Sequence, residues 1–564
     1  MISDLAGRTI QPDGAIVEVG KDAIKETDVL KGKKVKGIKV KTMAFPAVKP
    51  GSIIEYHFNE TTMGRTSNYA HLHFSRDLPV HHVRYLVKPL NLEWLPWQMR
   101  VMNFHSQASK FQAIRVGTDE YHYTEARNIP AFKEEPNMPP DEDVRPWLLV
   151  YYEEDKKLTP EKYWKEFGRE DYKRFQQQAK QDGEVKKLAA ELGSKGSTPE
   201  EKAEAILEYC RTKIKNVYSS SSGLTSQQRE AFKENRHAGD TLKQKMGTGF
   251  DINMLFAALA NAAGLEARLA RVAQRTTKAF GPQIMTPHFL DAEDIAIKIG
   301  SGWKFYDAAS TKLPKGLLRW QEEGAAALVT DPKDPVFVMT PHAPAEQNVI
   351  TRFADLTLDG QGALEGTFRL AYAGHHATTK RFDFDQDTDA EKTEKVVSLV
   401  KAQFPGAEVT AVKVENLDDL AKPVVLAGHI KLEGYGQRTG KRLFFQPAFF
   451  QFNDKGVFPE SKRRYPVQFR YGWAEKDRVT LTLPDEFELD QPTAPGDLQF
   501  SKVGYYKGGI AKTKDGRQLV VTREFAFGLE DATYFPVEAY PNLKKAFDAI
   551  HELDTHTMTL KAVN

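Results

Sequence analysis

The chain has 564 residues, of which 40% are hydrophobic, and its 79 basic and 77 acidic residues leave a formal net charge of +2. This length predicts about three or four domains, and the balanced charge excludes a bulk electrostatic attraction to nucleic acid or to a membrane surface. The longest fully apolar run, Met254 to Ala260, is far shorter than the roughly 20 residues of a membrane-spanning helix, so we expect no integral membrane segment.

Residues 1–155 are predicted to form a β-sandwich. Pro12-Asp13-Gly14 is a turn sequence, and residues 52–59 alternate as a half-buried strand does. The stretch from Phe45 to Tyr56 resembles domain of unknown function 3857, a β-domain that precedes transglutaminase-like domains in many bacterial envelope and secreted proteins. This resemblance implies a periplasmic or secreted protein. Relatives usually carry a signal peptide and begin with further strands, and the opening residues have no signal-peptide pattern, so we expect the chain to start within its first domain.

Two features of this region raise the question of a binding site. His71 and His73 share one face of a predicted strand, but no carboxylate or cysteine pattern accompanies them. We therefore interpret them as solvated strand histidines and expect no metal or other cofactor. A lysine run is interpreted as protection of a sheet edge rather than a site for an anionic polymer; it contains Lys31, Lys33, Lys34, Lys36, Lys39 and Lys41.

Residues 156–196 have a helical pattern and are predicted to be a connector. Thr198-Pro199-Glu200-Glu201 is a capping box that begins the next domain, residues 197–340. The helix that follows contains the single cysteine of the chain, Cys210, on an apolar stripe with Ala203, Ile206, Leu207 and Ile214. We expect Cys210 to be a core thiol and not a nucleophile.

The sequence from Gly247 to Ala267 predicts a central helix. Residues 253–263 are apolar on nearly every side, which indicates a helix packed all round, and Gly264 is placed to end it. Asp251 is expected to cap the first free backbone N–H groups. The small residues before it would let a ligand approach the positive end of the helix dipole.

This stretch resembles the nucleophile helix of the transglutaminase-like family, which has a papain-type α+β fold. The family sequence Gly-Asp-Cys-Lys-Asp, followed by an apolar helix and Gly-Ile-Glu-Ala, matches here at Gly247, Asp251, Gly264, Glu266 and Ala267. The position of the cysteine is occupied by Gly249. The resemblance therefore implies the fold but a missing nucleophile.

A predicted hairpin carries the other two positions of the family's triad. If Ser301-Gly302 is its two-residue loop, residue 296 pairs with residue 307, and Asp294, Ala296 and Asp307 share one face. By resemblance, Asp307 matches the family's aspartate, whereas Asp294 stands at the histidine position. A carboxylate does not replace an imidazole base near neutral pH, and loss of the nucleophile alone removes on the order of 10⁶ in rate. We expect no catalytic triad.

Several other residues are candidates for the cleft. His288 is expected in a loop near the cleft, Thr248 is a candidate substitute nucleophile, and Trp320 is either a sugar or peptide contact or an aromatic plug. Four acids are predicted to converge near the start of the central helix, where they would do general acid–base work or bind a cation: Asp251, Glu293, Asp294 and Asp307. The alternative is that Asp251 caps the helix and Asp307 bonds the backbone at a strand end.

Residues 341–564 are predicted to be β-rich, with two sheets packed together, one helix from Asp389 to Lys401 and a last helix beginning at Tyr540. The whole chain is thus expected to be an α+β multidomain protein. Its expected function is extracytoplasmic binding of a protein, peptide or glycan by a degenerate cleft. Two alternatives stay open: a hydrolase or transferase that uses the acidic residues on peptides or polysaccharides, and a displaced Cys210–His288 pair.

Overall fold

The computed structural model describes residues 1–28, 39–61, 69–90, 97–154, 158–490, 495–514 and 516–563. They form two compact units, of which the first contains Met1–Ala70 and Thr225–Glu230 and the second contains the rest. Of the lysine run, Lys31, Lys33, Lys34 and Lys36 lie outside the described residues. Lys39 and Lys41 lie on the strand Lys39–Met43. Lys39 Nζ forms an ion pair with Glu26 Oε1 at 2.5 Å.

The described part of the first unit contains antiparallel strands and a short α-helix. The strands are Ile2–Ile10, Ile16–Glu18, Ile24–Asp28, Lys39–Met43 and Ile53–Glu60, and the helix is Ser226–Glu230. All eight residues of the strand Ile53–Glu60 are exposed, so the predicted half-burial was wrong. Alternation tells which side chains share a face of a strand; it does not tell whether another layer covers that face.

A β-rich region begins the second unit, so the β-structure predicted for residues 1–155 is present but is divided between the two units. Two three-stranded antiparallel sheets share a core that includes Phe74, Leu148 and Val150. The short helix Asp141–Val144 precedes the last of these strands. In chain order the strands are Tyr69–His73, Val80–Val87, Trp97–Phe104, Gln112–Val116, Asp119–Ile129 and Trp147–Glu154.

The central region is built around the helix Gly249–Ala262, whose residues from Ile252 to Ala260 are all buried. Gly264 ends it in the left-handed conformation at φ +86°, as predicted. The helices Pro160–Gln178 and Gly183–Gly193 of the predicted connector pack Phe175 and Val185 into the same core. The helix Pro199–Lys213 begins with the predicted capping box at Thr198. A further helix, Ala238–Gln244, leads to the central one.

An antiparallel five-stranded sheet lies against the central helix. Its strands in chain order are Ala267–Val272, Ala292–Ile299, Gly302–Tyr306, Ala326–Val329 and Val336–Met339. The central helix shares its core with the apolar face of this sheet, including Leu269, Ile295 and Ile297. Just before the helix, Lys215–Asn216 pairs in parallel with Met246–Gly247.

The C-terminal region contains a large sheet of eight strands and a smaller one of four, which share one apolar core. The helices are Gly374–Asp383, which the sequence did not predict, Asp389–Gln403 and Tyr540–Asp554. The eight strands are Val349–Leu358, Leu364–Tyr372, Glu408–Glu415, Val424–Leu432, Trp473–Thr482, Asp497–Phe500, Gly504–Lys512 and Gln518–Phe527. The four strands are Gln437–Thr439, Arg442–Phe445, Phe487–Leu489 and Met558–Ala562.

None of the helices within the described ranges combines the length and the apolar character needed to cross a bilayer.

Candidate functional site

The central helix begins with a reciprocal capping box. Thr248 Oγ1 accepts a hydrogen bond from the Asp251 N–H at 3.1 Å, and Asp251 Oδ2 accepts one from the Thr248 N–H at 2.8 Å. The prediction that Asp251 is the cap was therefore wrong in detail, because Thr248 is the N-cap and Asp251 is the third helical residue. Both side chains hold the end of the helix.

Gly249 is the first residue of this helix and is partly exposed. Its backbone is not in the left-handed region, and a Cβ added here would lie 3.4 Å from Ala309 Cβ and 3.7 Å from Asn216 Nδ2. These are ordinary contact distances, so neither conformation nor space requires glycine at this position. A Cβ would therefore fit at this position, where the chain has no side chain.

Asn253 connects the helix to the strand ends beneath it. Its Nδ2 donates to the Glu293 carbonyl at 2.8 Å and to Asp307 Oδ1 at 3.2 Å. Its Oδ1 accepts from the Ala308 N–H at 2.8 Å. Asn253 is almost fully buried, so these bonds satisfy an amide that would be costly to bury alone. This role of Asn253 was not predicted from the sequence, where it is the polar residue that begins an apolar run.

The hairpin brings Asp294 and Asp307 to equivalent positions on neighbouring strands, but in a different register from the predicted one. Ile299 pairs with Gly302 and Ile295 with Tyr306, so the loop is Gly300-Ser301. Continuing this register places Asp294 opposite Asp307, two residues from the predicted pairing. Asp294 and Asp307 still share a face of the hairpin, as predicted, because a register shift of two residues leaves each side chain on the same face.

A third acid, Glu322, completes a buried cluster with these two. One carboxylate oxygen from each of Asp294, Asp307 and Glu322 lies within 4.8 Å of the other two. The three residues are 0%, 4% and 0% exposed. Glu322 lies in the 3-10 helix Trp320–Glu322. Glu322 was not predicted as a site residue, because only the folded chain brings the segment after the hairpin back to Asp294 and Asp307.

Burial controls the protonation of this cluster. Desolvation, followed by the charges of Glu322 and Asp307, holds the pKa of Asp294 well above its ordinary value. Neither Asp294 oxygen has a hydrogen-bond partner among the described residues. Burial raises the pKa of Glu322 to about 7 against the opposing effect of Arg319, which donates to its carboxylate. At neutral pH we therefore expect at least one proton to remain on the cluster.

The predicted convergence of four acids was wrong for two of them. Glu293 points to the guanidinium of Arg271, which also binds Asp171 Oδ2 at 2.7 Å. Burial raises the pKa of Glu293. Asp251 is engaged in the helix cap and accepts a further bond from Asn235 at 3.2 Å. Successive residues of a strand point to opposite faces, which separates Glu293 from Asp294.

Cys210 is a core thiol, as predicted. It is 0% exposed, and its stripe partners Ala203, Ile206, Leu207 and Ile214 are buried with it. Burial raises the pKa of the Cys210 thiol, which disfavours the nucleophilic thiolate. His288 lies in the 3-10 helix Pro287–Phe289 with its Nε2 atom 2.9 Å from His71 Nε2. The alternative of a Cys210–His288 pair is contradicted by this burial.

Two arginines lie over the ring of Trp320. The guanidinium carbons of Arg275 and Arg470 are 5.9 Å and 5.2 Å from its ring centroid. Arg275 Nη2 also donates to the Trp320 carbonyl at 2.8 Å. The ring lines a recess of ≈ 370 Å³.

The interpretation of His71 and His73 as solvated was wrong. His71 Nδ1 is 2.8 Å from Glu142 Oε1, and both histidines are partly buried against Trp147. The carboxylate partner of His71 is Glu142, which is 71 residues away in sequence. The local spacing of residues around His71 therefore gave no indication of it.

Three segments of the chain match known domain families. Residues 186–308 match the transglutaminase-like superfamily. Residues 2–133 and 441–560 match two domains of unknown function with solved structures, DUF3857 and DUF3858 respectively. No curated protein matches this chain.

Two solved structures are similar to it. A crystal structure of a "putative protease" from Parabacteroides distasonis covers 100% of this chain and 91% of that chain, with 13% identity and a TM-score of 0.52. A "putative cysteine protease" from Cytophaga hutchinsonii covers 48% of this chain and 84% of that chain, with 13% identity and a TM-score of 0.20. At this identity the first likeness shows the fold alone. The chain therefore carries a transglutaminase-like domain, flanked in sequence by domains of the DUF3857 and DUF3858 families.

Proposed function

We propose that this chain is a non-catalytic transglutaminase-like protein that binds a protein, peptide or glycan outside the cytoplasm. The observation that carries the proposal is Gly249, which is partly exposed at the first position of the central helix and has no side chain. A thiol there would be activated by the helix terminus and a nearby histidine. The extracytoplasmic location rests on the family resemblance.

The histidine position supports the same proposal. Continuing the hairpin register places Asp294 opposite Asp307, and by resemblance Asp294 stands at the family's histidine position. A buried carboxyl group with a raised pKa holds its proton instead of accepting one from a nucleophile. Neither the nucleophile nor the base of thiol chemistry is therefore available from these two positions.

A second candidate function is acid-based hydrolysis or group transfer. The pKa of Glu322, raised to about 7, suits a general acid, and burial raises the pKa of the neighbouring Asp294 as well. The cluster is closed, however, since Asp294 and Glu322 are 0% exposed and Asp307 is 4% exposed. A general acid must come within hydrogen-bond reach of its substrate, so we favour binding over catalysis.

A recess beside the helix start offers a place for the ligand. It has a volume of ≈ 350 Å³, and Phe250, the neighbour of Gly249, forms part of its wall. An aromatic ring together with charges of both signs suits a peptide or glycan, which presents apolar faces and hydrogen-bonding groups. The charged lining residues are Asp171, Arg174, Arg271 and Glu293.

The proposal is tested by probing immobilised peptide and glycan libraries with the wild-type protein and two variants. Gly249→Trp places a large side chain at the helix start, on the side of Ala309 and Asn216, and we expect at least about a tenfold loss of affinity. Gly249→Ala adds only a Cβ at contact distance and should bind as the wild type does. Thermal unfolding of both variants establishes that they are folded.

Two results would contradict the proposal. One is that no member of either library binds the wild-type protein. The other is that folded Gly249→Trp binds the selected ligand as tightly as Gly249→Ala, which would place the binding surface elsewhere.

A further inference from the structure

Four side chains from three separate segments meet at one end of the N-terminal β-rich region. His71 and His73 share a face of the strand Tyr69–His73, Glu142 lies in the helix Asp141–Val144, and His288 lies in the 3-10 helix Pro287–Phe289. One ligand atom from each of His71, His73 and Glu142 lies within 4.8 Å of the other two. This cluster is separate from the acids at the central helix.

The cluster rests on a rigid support. Trp147 is 0% exposed, and the His71 ring stacks on it with centroids 4.7 Å apart. The indole Nε1–H donates to the Glu142 carbonyl at 2.9 Å, which fixes the short helix that carries the carboxylate. The side chains are therefore held close together by packing as well as by their own contacts.

Two observations point to a ligand at this cluster. Glu142 Oε2 is buried and has no hydrogen-bond partner among the described residues, a situation that normally costs free energy. The side chains of His71 and Glu142 are still 25% and 16% exposed, so a small ion can reach them. Imidazole nitrogen and carboxylate oxygen are both ordinary ligands of zinc.

We propose that His71, His73 and Glu142 bind one divalent transition-metal ion, with Zn²⁺ as the best match to the donor set. His71 uses Nδ1, the atom that faces Glu142, while its Nε2 faces His288 Nε2 at 2.9 Å. His288 accepts the Nε2–H hydrogen bond of His71 and so orients the ring and fixes its tautomer, as outer partners of metal ligands commonly do.

The geometry requires only a small adjustment. Ligand atoms of a tetrahedral zinc site stand about 3.3 Å apart, because each lies about 2.0 Å from the ion. The His71 Nδ1 to Glu142 Oε1 distance is 2.8 Å, so the pair must open by about 0.5 Å. A bound ion would tie the strand to the short helix, and the hydrogen bond between His71 and His288 would connect them to the loop before the strand Ala292–Ile299.

The test is metal binding by the full chain. Protein stripped with a chelator is dialysed against buffered Zn²⁺, and bound metal is counted by mass spectrometry. We expect about one ion per chain, at least about tenfold weaker binding in His71→Ala and Glu142→Gln, and about 10- to 100-fold weaker binding in His288→Ala. His81→Ala is the matched control because His81 is an exposed strand histidine, and it should bind as the wild type does.

Cobalt supplies a second readout. Co²⁺ at the same site should give visible absorption bands that shift in His288→Ala and are lost in Glu142→Gln, a variant of nearly the same shape that should fold even if His71→Ala does not. The proposal is overturned if the stripped wild-type protein takes up no Zn²⁺. It is also overturned if folded Glu142→Gln binds as the wild type does, or if His81→Ala loses as much binding as Glu142→Gln.

Discussion

At the scale of single residues, Asp294 makes stability depend on pH. Its pKa is raised by burial and neighbouring charge, so the folded state holds a proton that the unfolded chain releases above about pH 4. The free energy of unfolding should therefore fall as pH rises through the pKa values that the buried acids have in the folded protein. For Glu322 this pKa is about 7. Asp294→Asn removes one of these ionisable groups, so its free energy of unfolding should fall less between pH 5 and pH 8 than that of the wild type.

Urea unfolding at pH 5 and pH 8 measures this difference. The exposed Asp485 provides a control, because Asp485→Asn should leave the pH dependence as it is. If Asp294→Asn and the wild type lose equal stability between the two pH values, Asp294 is not the buried, protonated acid described above.

At the scale of elements, the start of the central helix depends on its capping box. Thr248 Oγ1 satisfies the Asp251 N–H at 3.1 Å, and replacing an N-cap threonine by alanine typically costs about 1 kcal/mol. We expect Thr248→Ala to lower the free energy of unfolding by this amount and Thr248→Ser, which keeps the hydroxyl, to change it little. Chemical denaturation distinguishes the two variants, and equal stabilities would show that the cap contributes nothing.

The elements themselves were largely predictable from the sequence. The apolar run after Asp251 and the glycine at position 264 predicted the central helix and its end, since both signals are local. The hairpin loop was placed one residue too late, which shifted the pairing by two residues. The face shared by Asp294 and Asp307 survived this error because side chains alternate with a period of two.

At the scale of the whole molecule, contacts between distant segments were not predictable. Glu322 joins Asp294 and Asp307 only through the path of the loop after the hairpin, and Glu142 meets His71 from 71 residues away. The large C-terminal sheet has a similar feature, in which Arg523 binds Asp554 Oδ1 at 2.7 Å and Glu475 Oε2 at 2.8 Å. Charged residues on separate elements carry no local pattern that identifies their partners.

The central claim is that the transglutaminase-like domain binds without converting its ligand. The most direct measurement is mass spectrometry of peptides, amide donors and polysaccharide fragments after prolonged incubation with the wild-type protein. We predict that every mass is unchanged, since Gly249 supplies no nucleophile and Asp294 no base. A new product that forms with the wild type and not with folded Asp307→Asn would contradict the claim and show that the buried acids are catalytic.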